Sequence, residues 1–403
     1  MRKVKLGEVA DVKLSNVDKK TNPNEKKVRL CNYTDVYKNI FIDKDKAVNF
    51  MEASCNENEF EKFLLKEGQV SITKDSEKAN DIGVSTYIAE NFEDIVLGYH
   101  LALITPFEKE LEGKYLNYWL YTSTAKKYFE NNVGGSGQRF TLTLDTICST
   151  PLYLPNIKEQ KKISSLLFSL DKKIKLLHQL NDNLAQLAKT IYDYWFVQFD
   201  FPDESGKPYK SSGGKMVYNE ILKREIPEGW EVKKLGKYAL IKKGTLITEK
   251  QANTSGNIKV VSAGLDFSYY HDESNFSENT ITISASGANA GIINFWREPI
   301  FACDCTIVRG NSLTETLYIY QSLKILQEHI YRQAKGSAQP HIYPTDIEVL
   351  DIILPTQEIL GNFGKFVNNS NQKILLNQQQ IHHLQSLRDT LLPMLMNGQV
   401  EVQ

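Results

Sequence analysis

GSGQRFTLTLDTICSTPLYLP (135–155) and GSAQPHIYPTDIEVLDIILP (336–355) are two versions of one segment, and together they decide how the chain is organised. Gly135, Ser136, Gln138 and Asp145 recur as Gly336, Ser337, Gln339 and Asp346, at a constant offset of 201. Both copies reach a Leu-Pro pair (Leu154-Pro155 and Leu354-Pro355) and continue into a long helical pattern. Working outward, the first copy is preceded by VKLGEVADVKLS (4–15) and the second by KKLGKYALIKKGT (233–245). The order of parts is the same in both halves, which identifies an internal duplication.

The helical patterns repeat in register. The first seam runs Ile163, Leu167, Leu170, Ile174, Leu177, Asn181, Leu184, Ala188, Ile191 and Trp195. Adding 200 to each number gives Phe363, Val367, Ser370, Ile374, Asn377, Ile381, Leu384, Arg388, Leu391 and Leu395. Alternating steps of four and three are a coiled-coil seam. Two such stripes are expected to cover each other, since an isolated helix would leave its own in water. Each pattern spans roughly 35–40 residues, or about 55–60 Å at 1.5 Å per residue. Asn181 and Asn377 are polar seam residues of the kind that set register at some cost in stability.

Between the halves, FPDESGKPYKSSGGKMVYNEILKREIPEGWEV (201–232) is rich in Gly, Ser and Pro at its start and reads as a linker or exposed hairpin. The expected parts are a globular region over 1–154, a helix over 155–200, a linker over 201–226, a second globular region over 227–354 and a second helix over 355–403. Strand-like runs (68–73, 97–106, 280–287, 299–310) precede helical runs (111–129, 314–334) in both regions. The expected fold class is therefore α+β, with two globular domains, an antiparallel pair of long helices and a pseudo-twofold repeat. Gly7 precedes Gly135 by 128 residues, whereas Gly236 precedes Gly336 by 100. The halves share a frame and differ inside it.

Composition narrows the class. With 403 residues, 41% of them hydrophobic and 24% charged, the chain reads as a multidomain globular protein. No apolar run reaches the length of a membrane span, and the start, MRKVKLGEVADVKLS, lacks the apolar core of a secretory signal. Five scattered cysteines, Cys303 and Cys305 placed as alternate strand positions among them, suit a reducing cytoplasm better than disulfides or a zinc site. A net charge of −1 argues against a simple basic nucleic-acid coat, although a local basic face is enough to meet phosphates.

No catalytic constellation stands out. TNPN (21–24) lacks the second proline and the aromatic of a base-holding methyltransferase segment, and GGSGQ (134–138) follows a helix instead of a strand. GGSG also lacks the Lys-Ser/Thr of a nucleotide-binding loop. Pro202-Asp203 with Glu231-Val232-Lys233 matches a loose nuclease pattern, but it straddles the Gly/Ser-rich segment. His382 and His383 are adjacent on one helix and so point in different directions.

The sequence order of Leu-Gly, strands, helix, GSxQ, Leu-Pro and long seam helix, given twice around IPEGWEVKKLG (226–236), resembles the specificity subunits of type I restriction-modification systems. The resemblance covers nearly the whole chain. It implies two target-recognition domains joined by spacer helices, reading the two unlike halves of a gapped DNA site for two methyltransferase subunits and for motor-nuclease subunits. It also implies no catalysis and no cofactor in this chain, with S-adenosylmethionine, ATP and magnesium used by the partners. Lengthening the seam should then widen the gap without altering the half-sites. Side chains suited to base or phosphate contact in the loops are Lys74, Lys78, Gln138, Arg139, Ser284, Asn289, Lys335, Gln339 and His341. Of these, Lys74 and Lys78 also fit solvated loop lysines, and the shared GSxQ fits a structural turn. The competing reading is a coiled-coil scaffold whose globular ends bind proteins.

Overall fold

The computed structural model describes residues 1–136, 139–334 and 340–402. The described chain divides into two compact units, 1–176 with 381–403, and 177–380. Each contains strands and helices around its own apolar core, an α+β architecture. Among the described residues no helix is long and apolar enough to cross a membrane.

In the first unit a five-stranded sheet has the order Ala10–Leu14, Leu101–Pro106, Val70–Thr73, Ser85–Ile88, Phe41–Ile42. Val70–Thr73 and Ser85–Ile88 are buried at every position, because both faces of the sheet are covered. A three-stranded sheet, Met51–Cys55, Lys26–Cys31 and Ile95–Leu97, holds a second cluster around Leu30, Val96 and Phe63. Arg2–Lys5 pairs antiparallel with Pro151–Leu154, which brings the start of the unit beside the root of its long helix.

The helical run over 111–129 is two helices, Gly113–Leu120 and Ser123–Asn132. The break has a local cause. The Thr122 side chain accepts a hydrogen bond from the backbone N–H of Ala125, capping the second helix where the first has ended. Gly113 begins the first helix, where a Cβ would lie 2.0 Å from the carbonyl oxygen of Gly68. Only glycine lets the helix approach the sheet that closely.

The second unit repeats this plan. Its four-stranded sheet runs Leu240–Lys243, Cys305–Arg309, Thr280–Ser284, Ile293–Trp296. Its three-stranded sheet runs Tyr269–His271, Ile258–Val261, Ile300–Ala302, with the last two parallel, as Lys26–Cys31 and Ile95–Leu97 are in the first unit. Glu231–Lys234 pairs with Asp351–Leu354 in the manner of Arg2–Lys5 with Pro151–Leu154.

Two expectations are corrected. The runs 97–106 and 299–310 are each two strands of different sheets, broken at Gly98–His100 and at Cys303–Asp304, where the chain crosses from one sheet to the other. Cys303 therefore sits in the crossing and not on a strand beside Cys305. The offset of 201 does not hold through the whole segment. Leu142 donates its N–H to Lys74 and Ile342 donates its own to Ala285, and Thr143 and Tyr343 are the caps of the helices that follow, an offset of 200. Asp145 and Asp346 consequently occupy the second and third positions of those helices, so their match in sequence is not a match in place. The segment 201–226, read as a linker or exposed hairpin, contains a hairpin and is packed at its start. Phe201 is buried and stacks on Tyr209 and Trp230 at 4.6 and 5.2 Å, and Met216–Asn219 forms a hairpin with Arg224–Pro227.

The long helices are Ile157–Tyr192, continued by a wider turn over Asp193–Val197, and Gln357–Met396. None of the twenty seam positions is exposed. In the first unit Lys162 reaches the carbonyl of Val402, while the Arg388 guanidinium donates to Asp171 at 2.7 Å, so the segments run antiparallel. Tyr118 donates its hydroxyl to the same carboxylate at 2.5 Å. Burial raises the pKa of Asp171 against the pull of Tyr118 and Arg388. In the second unit Asn377 donates its side-chain amide to the Asn181 side-chain oxygen at 2.8 Å, and Trp195 and Phe196 pack their rings on Phe363.

Candidate nucleic-acid interface

The polar groups of the first unit gather where the strands Val70–Thr73 and Leu101–Pro106 leave the sheet. Asp75 follows the first strand and His100 precedes the second, and the two are tied by the Lys74 N–H, which donates to the His100 carbonyl at 2.9 Å. Arg139–Thr141 adds a third strand, Thr141 opposite Asp75 and Phe140 opposite Ser76. Around the Asp75 carboxylate stand Lys74 Nζ at 2.9 Å, His100 Nδ1 at 2.7 Å, and Thr141 Oγ1, which donates at 2.7 Å. The Arg139 guanidinium lies 3.5 Å from the same carboxylate and against the His100 imidazole.

Burial alone would raise the Asp75 carboxyl, but the bonds from Lys74, Thr141 and His100 prevail and hold it down at about 2. It is therefore an anion at neutral pH, neutralised locally by Lys74. His100 carries a backbone φ of +73°, a left-handed conformation uncommon outside glycine, and its ring meets Tyr99 edge-on at 4.0 Å. Asp75, His100 and Arg139 border a cleft of about 660 Å³, lined also by Tyr33, Ser76, Glu77, Lys78 and Asp81.

The second unit has the same frame with other side chains. Ala285 takes the place of Lys74, since its N–H donates to the Asp304 carbonyl and its carbonyl accepts from Ile342. Ser286, bridged to His341, then stands for Asp75, Asp304 for His100 and His341 for Thr141. Ser286 donates its hydroxyl to the Asp304 carboxylate at 2.5 Å. The backbone scaffold is kept while the functional groups at its mouth are replaced.

The residues expected from sequence are placed as follows. Lys78 and Arg139 line the first cleft. Lys74 is buried, paired with Asp75 and set over the Tyr99 ring at 4.8 Å, so the solvated-lysine reading is corrected. Ser284 is buried in its strand with its hydroxyl donating to the Gly264 carbonyl, which removes it from any surface contact. Asn289 is half-buried in the turn that follows, its carbonyl accepting from Ile292. His341 is half-buried and stacks on Tyr343. Gln138, Lys335 and Gln339 lie outside the described residues. Asp75, His100 and Thr141 gave no signal in sequence, because three strands far apart in the chain bring them together.

The catalytic patterns weighed in sequence have structural explanations. Asp203 accepts from Ser205 and from the Lys207 N–H within its own loop, and Lys233 pairs with Glu231. His382 and His383 are both exposed. Among the described residues no group of three His, Cys, Asp or Glu is placed to hold a metal.

Comparison with known proteins gives this frame a family. A model described as the type I restriction modification DNA specificity domain matches twice, over residues 1–186 and 227–386. The chain belongs to that family. Each match includes one strand frame and a large part of the long helix after it, so the duplication read from sequence is a duplication of the family's domain. Among similar proteins, the type I restriction enzyme MjaIX specificity subunit of Methanocaldococcus jannaschii is 29% identical over 313 residues, 72% of this chain and 70% of that one. The HindI specificity subunit of Haemophilus influenzae is 21% identical over 388 residues, 78% of this chain and 83% of its own. A crystal structure of a type I restriction-modification S subunit from M. genitalium matches 98% of this chain and 95% of that one, with TM-score 0.62 and 18% identity, a likeness of fold. The chain's function is DNA recognition as a specificity subunit, and the scaffold reading is not favoured.

Proposed function

We propose that this specificity subunit reads a bipartite, asymmetric DNA site, each half by one globular region, and directs partner methyltransferase and nuclease subunits without catalysing either step. The observation that carries the asymmetry is the repeated frame with unlike groups. A carboxylate, an imidazole and a hydroxyl (Asp75, His100, Thr141) meet beside the first cleft, and the matched places of the second unit hold a hydroxyl, a carboxylate and an imidazole (Ser286, Asp304, His341). Donors and acceptors that differ at matched places select different base edges, since base pairs are distinguished in the major groove by their donor and acceptor patterns. A net charge of −1 leaves the chain with little long-range attraction for phosphate, which supports a reading in which partner subunits supply much of the backbone contact. S-adenosylmethionine, ATP and magnesium belong, on this reading, to those partners, and the complex works in the cytoplasm.

The test is to express the chain with the methyltransferase subunit encoded beside it and map methylated adenines across the host genome. A single gapped, asymmetric motif that disappears when this chain is deleted is the expected result. Methylation unaffected by the deletion would overturn the proposal.

A further inference from the structure

We propose that Arg139 is a guanine-reading residue of the first recognition domain, held in its reading position by Asp75 and His100. This rests on the DNA-recognition reading above and assigns one contact within it. The Arg139 side chain is 55% exposed, whereas its support is not: Asp75 is 9% and Lys74 10% exposed. Lys74 and Asp75 form a buried pair, and Arg139 lines the cleft beside them with Lys78, Glu77 and Asp81.

The guanidinium is anchored on one edge. Arg139 Nη2 lies against the His100 imidazole and 3.5 Å from the Asp75 carboxylate, and Thr141 fixes the other carboxylate oxygen. A guanidinium carries five N–H donors in a planar fork, so anchoring one edge leaves donors directed outward. Two parallel donors match the O6 and N7 acceptors of guanine, and holding the side chain beforehand reduces the entropy lost on binding. The left-handed backbone of His100 is the local irregularity that sets its ring beneath Arg139.

The second unit supplies an internal comparison. Counting back from the matched pair Leu142 and Ile342, Phe140 corresponds to Pro340, whose carbonyl accepts from Gly287. Gln138 and Gln339 match in sequence, so Arg139 is the one residue that the second loop lacks. A scaffold turn shared by both units has no need of it. A side chain added to one loop only, placed in the cleft and braced by neighbours themselves exchanged in the other unit, is suited to specificity.

The experiment maps adenine methylation by the complete complex carrying Arg139→Ala, Arg139→Lys or no substitution. The expected result is that both variants tolerate other base pairs at one G·C position, in one half-site only. Discrimination there should fall about ten- to a hundredfold, the range of one bidentate base contact. The unaltered half-site reports that the complex is folded and active. A weaker but unchanged motif would make Arg139 a phosphate contact or a structural residue and would overturn the inference. So would loss of all methylation by Arg139→Ala with an unchanged motif in Arg139→Lys. An unsubstituted complex that methylates independently of this chain would instead overturn the underlying DNA-recognition reading.

Discussion

At the scale of the residue, the chain keeps a few buried charges and spends each on position. Asp75 is the clearest. Its carboxyl is held at about 2 in the folded protein, below the ordinary value of 3.8. A carboxyl with a depressed folded pKa contributes stability that is fully present above the unfolded value and is lost as pH falls through the folded one. Asp75→Asn should therefore destabilise the protein at pH 7 by about 2 kcal/mol at most. The gap between variant and wild type should close as pH falls from about 4 to about 2. Urea unfolding at a series of pH values checks this, and a gap that widened in acid would contradict the assignment. Little of this site could be read from sequence. Lys74 and Arg139 were recognisable as candidates by type, but nothing local marks Asp75 or His100, because they meet only through the pairing of Val70–Thr73 with Leu101–Pro106, to which Arg139–Thr141 is added. Ser284 misled for a related reason: its strand is buried at every position, and nothing local marks where the chain leaves the sheet.

The long helices belong to the scale of the element, and here the sequence was most informative. A seam of fours and threes is a local pattern, and its twenty positions are accordingly buried or half-buried. What the pattern left open is how its polar members are satisfied. Asn181 and Asn377 bond each other, and Arg388 finds Asp171, which Tyr118 also bonds. Asn181→Leu alone should destabilise by about 1–3 kcal/mol, since it strands the Asn377 amide, which is only 2% exposed. The pair Asn181→Leu/Asn377→Leu should recover most of that loss. Likewise Asp171→Leu should cost about 1–3 kcal/mol by stranding the buried Tyr118 hydroxyl and Arg388 Nη1, while Asp389 keeps the rest of that guanidinium, and adding Arg388→Met should recover part of the loss. Thermal melts of the singles and doubles measure both couplings, and additive effects would show that the pairs do not interact. The helix breaks and sheet crossings were less legible. Thr122 and the Gly98–His100 crossing interrupt runs that read as continuous, because apolar strands of two sheets joined end to end look like one.

At the scale of the whole molecule, the duplication was legible because frame residues must keep their spacing while cleft residues need not. Leu-Pro ends, helix caps and seams recur at a spacing of 200, and the single extra residue at Arg139 accounts for the 201 read from GSxQ. In the segment read as a linker or exposed hairpin, the aromatic start packs against Trp230 and the later part forms a hairpin. The central claim is that each globular region reads one half of the DNA site by itself. The most direct measurement replaces residues 1–154 with the matching region of a relative of known, different specificity and maps methylated adenines with the same partner subunits. The account predicts a motif in which one half-site becomes the relative's and the other is unchanged. A motif altered in both halves, or in neither, would contradict it.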